Sequence, residues 1–379
     1  MLLELIIILI AAKVAGNLSL RLGQPSVLGQ LIAGIIIGPS LLGWVHNTEV
    51  LKELSSLGVI LLMFIAGMET NLQEFKASAK ASTYVGLSGI IVPLLGGYFS
   101  GQLMGLTQFE SALFGLVLSA TSVSISVQTL RELDRLKTKE GMAILGAAVL
   151  DDIVVIVLLA FTMSILGGDV SISTVLLKML VFFVVGIFAA WKLVPWILRK
   201  FSHTNIPQGM TVLAVILCLA FAYFAEETGI SDIIGAYLAG IAISRTEFQE
   251  KIMERVEVLS YSLFVPIFFI SIGLSTEIGG LDSLWLILPF GLLAVLSKWI
   301  GGGLGAKLAG FSWSSSSRVG AGMISRGEVA LILASLGLER GFFSPALFSI
   351  LVMVVLFTTI VTPPILKLLF QDKKKFATE

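Results

Sequence analysis

The sequence predicts an all-α polytopic membrane protein of about 13 transmembrane helices. Three observations carry that prediction. Of 379 residues, 56% are hydrophobic and only 13% are charged, whereas a soluble domain carries roughly 25% charged residues. Mean hydropathy is +0.99, too high to hide in one water-soluble core. Apolar runs of about twenty residues, the length that spans a bilayer's hydrocarbon core, recur along the whole chain. They are continuous, without the polar–apolar alternation of a membrane barrel.

In order, the runs occupy 2–20, 27–43, 54–68, 81–104, 109–130, 141–166, 171–197, 207–225, 231–244, 259–275, 283–307, 315–338 and 343–368. The first lacks a basic leading region and holds Glu4, so it is expected to stay as a helix rather than serve as a signal peptide. Lys and Arg set the orientation, because cytoplasmic loops are enriched in them. With the tail lysines Lys373, Lys374 and Lys375 in the cytoplasm, thirteen crossings put the N-terminus outside. Arg21, Lys76, Arg131, Arg135, Lys137, Lys139, Arg199, Lys200, Arg245 and Lys251 then share the cytoplasmic side, and only Lys52, Lys178 and Arg340 lie outside. An even number of helices would destroy this asymmetry.

Composition also excludes several functions. Positive and negative side chains balance, 25 against 25, so bulk charge points to no nucleic-acid partner. Cys218 is the single cysteine, which rules out an internal disulfide or a cysteine zinc site. His46 and His203 are the only histidines, which argues against a histidine metal centre or a Ser-His-Asp enzyme. No cofactor is expected.

The chain repeats itself. Gly29-Gln30-Leu31-Ile32-Ala33-Gly34-Ile35 resembles Gly235-Ala236-Tyr237-Leu238-Ala239-Gly240-Ile241, and Gly67 and Thr70 match Gly273 and Thr276; both correspondences are 206 positions apart. Spans two to six then correspond to spans nine to thirteen, with opposite topology, as inverted five-helix repeats of the kind that build many secondary transporters.

Charged residues inside apolar runs mark the candidate site. Asp151 and Asp152 interrupt Gly146–Leu150 and Ile153–Val157. A charge at mid-membrane costs about 2.5–3.5 kcal/mol on insertion scales, so an intramembrane carboxylate is functional by default. Adjacent residues point about 100° apart on a helix, so one can meet a partner while the other faces a water-filled cavity. Lys298, within Leu296–Ile300, is too deep to snorkel and needs an intramembrane Asp. Arg326 and Glu328 interrupt span twelve, and Ser119–Ser124, with Thr121 and Ser122, interrupts span five; adding 206 to Thr121 reaches Gly327. Paired interruptions point to two broken helices around a transporter site, although small residues at 121–124 also suit plain helix packing. Blander readings cover the rest. Lys13 suits a dimer seam or lipid contact, Glu226, Glu227 and Asp232 a solvated helix end, Arg131–Glu140 a cytoplasmic loop, and Gly301–Gly303 close helix packing rather than phosphate binding.

Gln30–Gly34 through Gly38-Pro39, Ala120-Thr121-Ser122, Leu150-Asp151-Asp152, Lys298 and Ser325-Arg326-Gly327-Glu328 resemble the cation:proton antiporter-2 family, and within it the NapA-like and GerN-like bacterial sodium/proton antiporters. The resemblance covers essentially the whole chain, and the Asp-Asp pair with the Lys is its specific part. It implies an NhaA-like fold with two crossed broken helices and a homodimer in the bacterial inner membrane. A dimerisation domain at 1–75 and 201–280 would flank a core at 76–170 and 281–370, with a linker helix at 171–200 and a cytoplasmic tail at 371–379. It implies Asp152 as the shared Na+ and H+ carrier, Asp151 as a further Na+ ligand that pairs with Lys298 when sodium is absent, and Thr121 and Ser122 beside the site. Arg326 and Glu328 would support the crossing.

The expected function is therefore electrogenic Na+ (or Li+) for H+ exchange by alternating access, carried out by a transporter and not an enzyme. A K+/H+ or broad-specificity exchanger shares every one of these features. An anion or organic-solute carrier calls for more cationic residues, and a channel fits paired broken helices poorly. An intramembrane aspartyl protease needs its two Asp on different helices.

Overall fold

A computed structural model describes residues 2–165, 172–201, 208–275 and 284–370. Among them every regular element is helical: α1 (Leu2–Arg21), α2 (Ser26–Ile37), α3 (Glu49–Glu69), α4 (Leu72–Leu103), α5 (Gln108–Ser119), α6 (Val123–Glu132), α7 (Lys139–Ile165), α8 (Ile172–Phe188), α9 (Val194–Phe201), α10 (Gly209–Glu227), α11 (Asp232–Ser244), α12 (Gln249–Leu259), α13 (Val265–Leu274), α14 (Leu284–Leu308), α15 (Trp313–Gly322), α16 (Glu328–Glu339) and α17 (Pro345–Phe370). One-turn π segments, Ala189–Leu193 and Ser260–Phe264, join α8 to α9 and α12 to α13. Thr276 and the lysines of the tail lie outside the described residues.

Local sequence explains where the helices start. Thr107 and Glu110 form a reciprocal capping box at α5. Thr48 and Ser312 each accept from the third residue of the helix that follows, Leu51 and Ser315. Among the described residues, ten helical stretches are long and apolar enough to cross a membrane, counting those joined through a break or a π segment as one. Ser26–Ile37, Asp232–Ser244 and Val329–Leu338 are apolar but shorter. α4 begins at Leu72, so the domain boundary expected at 75/76 falls inside its first turn.

The helices sort into two groups by packing. α1–α3 pack among themselves and against α10–α13; α4–α7 pack against α14–α17; α8 and α9 touch α7 on one side and α10 and α11 on the other. The groups meet chiefly where α6 lies on α2 and α3 and where α17 lies on α2, over a shared apolar seam that includes Leu31, Leu62, Met63, Val123 and Val127.

Glycine contacts come in matched sets. A β-carbon on Gly34 would sit 2.2 Å from the Ile270 carbonyl oxygen and 2.9 Å from Gly273 Cα; one on Gly240 would sit 2.2 Å from the Phe64 carbonyl oxygen and 2.8 Å from Gly67 Cα. Shifted by 206, the contact 34/273 becomes 240/67, with the two helices exchanging roles. The contact of Gly29 with the Ala15 carbonyl likewise returns as Gly235 with the Phe221 carbonyl, each at 2.2 Å. Backbones this close tolerate only glycine.

Candidate ion site

The site forms where α7 and α14 pass the interruptions of α5–α6 and α15–α16. The α5 helix ends at Ser119, Ala120 and Ser122 are extended, and α6 begins at Val123. The α15 helix ends at Gly322 and α16 begins at Glu328. The two breaks bond to each other. Ser122 N–H donates to the Ser325 carbonyl (2.7 Å), and the Ser325 hydroxyl donates to the Ser122 carbonyl (2.9 Å). The Ser126 hydroxyl donates to the Gly322 carbonyl at 2.6 Å. This exchange satisfies groups that a helix would have paired internally. A β-carbon at Gly327 would lie 2.8 Å from Ser122 Oγ, so the approach requires glycine there.

Lys298 and Asp151 meet. Lys298 Nζ lies 3.1 Å from Asp151 Oδ1, and both side chains are 0% exposed. Lys298 Nζ also donates to the Gly89 carbonyl on α4 at 2.8 Å. Glycine at 301 and 305 brings α14 against the backbone of Ser88 and Tyr84, which places that carbonyl within reach. The second Asp151 oxygen, Oδ2, and the neighbouring Thr121 Oγ1 are both buried without a hydrogen-bond partner among the described residues. Asp152 is buried next to the pair, 3% exposed, and Lys298 feels its charge. Ser122, expected at the site, turns its hydroxyl to Ser124 at 3.2 Å.

Arg326 is fully buried; its hydrogen bonds go to the breaks, and Asp151 and Lys298 feel its charge. Its Nε and Nη2 donate to the Leu118 carbonyl at 3.2 and 2.8 Å, and its Nη1 donates to the Ile324 carbonyl at 2.6 Å. Leu118 lies in the last turn of α5 and Ile324 follows α15, so one guanidinium sits at the negative C-terminal ends of both half-helices. Its backbone is held in turn by α17: Arg326 N–H donates to Thr358 Oγ1 at 3.2 Å, and the Thr359 hydroxyl donates to the Arg326 carbonyl at 2.6 Å. Glu328 is the first residue of α16, and its side chain lies outside the described residues.

Several participants escaped the sequence. Gly89 and Leu118 act through carbonyls, which no side-chain pattern reveals. Thr358–Thr359 was visible as a polar doublet in an apolar run. Two bland readings need correction. Asp232 is half-buried rather than solvated, and its carboxylate accepts from Ile233 N–H at 2.8 Å. Arg131 and Glu132 are the last turn of α6 rather than part of a loop. Lys13 is exposed and donates within the chain, to the Tyr261 carbonyl at 3.0 Å.

Residues 6–372 match the family described as sodium/hydrogen exchanger, transmembrane. The chain is 51% identical over 374 residues to the Na(+)/H(+)-K(+) antiporter GerN of Bacillus cereus, covering 98% of this chain and 97% of that one. It is 39% identical over 378 residues to a Na(+)/H(+) antiporter of Enterococcus hirae, covering 98% of each. The sodium proton antiporter MjNhaP1 of Methanocaldococcus jannaschii, solved at pH 8, superimposes with a TM-score of 0.66 at 15% identity, covering 96% of this chain and 95% of that one, a likeness of fold alone. The chain thus belongs to the transmembrane sodium/hydrogen exchanger family, whose members are transporters and not enzymes.

Proposed function

We propose that this protein exchanges a monovalent cation, Na+ or Li+, for protons across the bacterial cell membrane by alternating access. The observation that carries the reading is the buried Asp151–Lys298 pair, with Thr121 interacting with Asp151 and Asp152 buried beside them. Hard oxygen donors suit a small alkali cation. Asp152 takes either the cation or a proton, and an empty, ionised site is too costly to carry through the apolar barrier. Lys298 gives up its pairing with Asp151 when sodium binds both carboxylates and re-forms it on release. If Lys298 then also loses its proton, two protons exchange for one sodium and transport is electrogenic.

The same reading takes the chain as thirteen crossings with the N-terminus outside and the C-terminus in the cytoplasm. The role-exchanging contacts 34/273 and 240/67 support inverted repeats. Packing in two groups supports a dimerisation part, α1–α3 with α10–α13, and a moving core, α4–α7 with α14–α17, linked by α8–α9. The exposed apolar face of α1, with Leu3, Ile6, Ile10 and Val14, suits lipid or a second copy in a homodimer. K+ is the second candidate cargo, because the GerN relative is described as a Na(+)/H(+)-K(+) antiporter.

The test is purified protein in liposomes holding a pH-sensitive dye, challenged with Na+, Li+ and K+ in turn. Na+ and Li+ should drive proton flux, and Asp152→Asn should abolish it, since an amide neither neutralises a cation nor carries a proton. Undiminished sodium-driven flux in Asp152→Asn would overturn the site assignment. A K+ response equal to the Na+ response would establish the broader specificity.

A further inference from the structure

One charged cluster lies apart from the ion site, at the end of α6 that faces the 131–140 side. Arg131 Nε lies 3.2 Å from Glu69 Oε2 at the end of α3, and its Nη2 bonds Glu257 of α12. Its guanidinium also stacks 4.8 Å from the Tyr261 ring centroid, in the π segment. The next residue, Glu132, points to a different helix. Its carboxylate accepts from Ser26 N–H at 2.6 Å and from the Ser26 hydroxyl. Ser26 opens α2, where Pro25 offers no side-chain cap, so Glu132 supplies the anion that a helix N-terminus favours. Two adjacent side chains of opposite charge therefore reach across the seam, and each meets its complement on the other group of helices.

The cluster also sits over a polar file. Ser124, Gln128 and Glu132 are spaced by four on α6, and thus on one helix face. The file runs from the helix break outwards: Ser122 pairs with Ser124, and Gln128 Nε2 donates to Glu132 at 3.0 Å. The Tyr261 hydroxyl closes on it, donating to Gln128 Oε1 at 2.9 Å. A cavity of about 460 Å³ lined by Glu69, Gln128, Arg131, Glu132, Lys137 and Tyr261 lies just outside that contact. These side chains are only partly exposed, 21% for Arg131, 11% for Glu69 and 31% for Glu257.

We infer that Arg131 and Glu132, gripping Glu69, Glu257 and the start of α2, form a latch that shuts the cytoplasmic end of the ion path along Ser124, Gln128 and Glu132. The site becomes open to the cytoplasm when α6 lets go of α2, α3 and α12. Arg131, Glu132 and Tyr261 are thus gating residues that never touch the transported ion at Asp152. The inference rests on the proposed division into a fixed and a moving part and on the orientation read from the Lys and Arg distribution.

The test measures access rather than transport. Cys218 is the only cysteine, so Cys218→Ala with Ser124→Cys gives one reporter thiol on the file. A membrane-impermeant cationic thiosulfonate is applied to each face of sealed vesicles of known orientation. Arg131→Gln, Glu257→Gln and Glu132→Gln should each speed labelling from the cytoplasmic face by about tenfold or more, the shift that loss of one charge-assisted hydrogen bond gives a two-state equilibrium. Tyr261→Phe, which removes only a hydroxyl, covers the case of a charge variant that fails to fold, and should speed labelling by a few-fold. The exchanged pair Arg131→Glu with Glu257→Arg should slow labelling again. Unchanged labelling in folded single variants, or acceleration from the outer face instead, would overturn the latch. Sodium-driven proton flux of the unsubstituted protein in the same vesicles separates the two readings. Absent flux sinks the exchange proposal, and flat labelling with normal flux sinks the latch alone.

Discussion

Removing Lys298 should destabilise the protein, and removing Asp151 with it should restore much of the loss. In Lys298→Ala the carboxylate of Asp151, 0% exposed, loses the one counter-ion that lies within 4 Å among the described residues. The Gly89 carbonyl loses its donor as well. Breaking one side of a buried pair typically costs about 3–5 kcal/mol. At roughly 2 °C per kcal/mol for a long chain, the melting temperature should fall by about 6–10 °C. Asp151→Asn alone should also destabilise, because it strands the ammonium. In the double variant Lys298→Gln with Asp151→Asn, two neutral amides can bond each other and Gly89, and no orphan charge remains. A double-mutant cycle of Lys298→Gln, Asp151→Asn and their combination on melting temperatures in one detergent, with proton flux measured on the same preparations, provides the assay. Coupling of about 1–3 kcal/mol between the positions is expected. Additive losses would refute the reasoning, since residues that truly pair cannot be lost independently. Transport by the double variant that keeps sodium flux but loses its response to voltage would assign Lys298 a proton.

Three further outcomes follow from the geometry. Arg326→Gln should lower the melting temperature steeply and Arg326→Lys by less, because lysine keeps the charge but loses the fork that bonds Leu118 and Ile324; a lysine variant that melts with the parent would show that charge alone suffices. Gly34→Ala and Gly240→Ala should each cost about 1–3 kcal/mol by overpacking and by similar amounts, since both new methyl groups meet a carbonyl oxygen at 2.2 Å; thermal melts that separate them widely would weaken the case for equivalent contacts. An imposed membrane potential should speed or slow sodium-driven proton flux in the parent protein, and rates indifferent to voltage would mean one-for-one exchange.

Much of the fold was legible because the bilayer writes its thickness into the sequence. Among the described residues the apolar runs are largely helical, with 38–43 of the second run turning out of α2, and the charges that interrupt two of them, Asp151 and Lys298, lie 3.1 Å apart. Less was legible where the backbone does the work. One of the two bonds between Ser122 and Ser325 joins peptide groups common to any residue, and only the cluster of small polar residues hinted at a break. The carbonyls of Gly89 and Leu118 carry no sequence signal. The π segments at 189–193 and 260–264 look like unbroken helix in the sequence. Arg131 and Glu132 looked like loop charges because their partners on α2, α3 and α12 are brought near only by the fold. The pattern of glycines was read as a sequence repeat, yet its physical content, that each pair separates two crossing backbones, needs three dimensions.

The position of Arg326 determines how much charge the site carries as it moves. Each half-helix end contributes roughly half a negative charge, and Arg326 rests on two of them, α5 and α15. In the sum over these groups the two ends offset its charge, which leaves Asp151, Asp152 and Lys298 as the charge that changes. With sodium absent, Asp152 protonated and Lys298 charged, these sum to zero. With one sodium bound to two ionised carboxylates and Lys298 neutral, they sum to minus one. Under the proposed two-for-one exchange, the stroke that carries sodium is therefore the electrical one, and the proton-carrying stroke crosses the membrane silent to voltage.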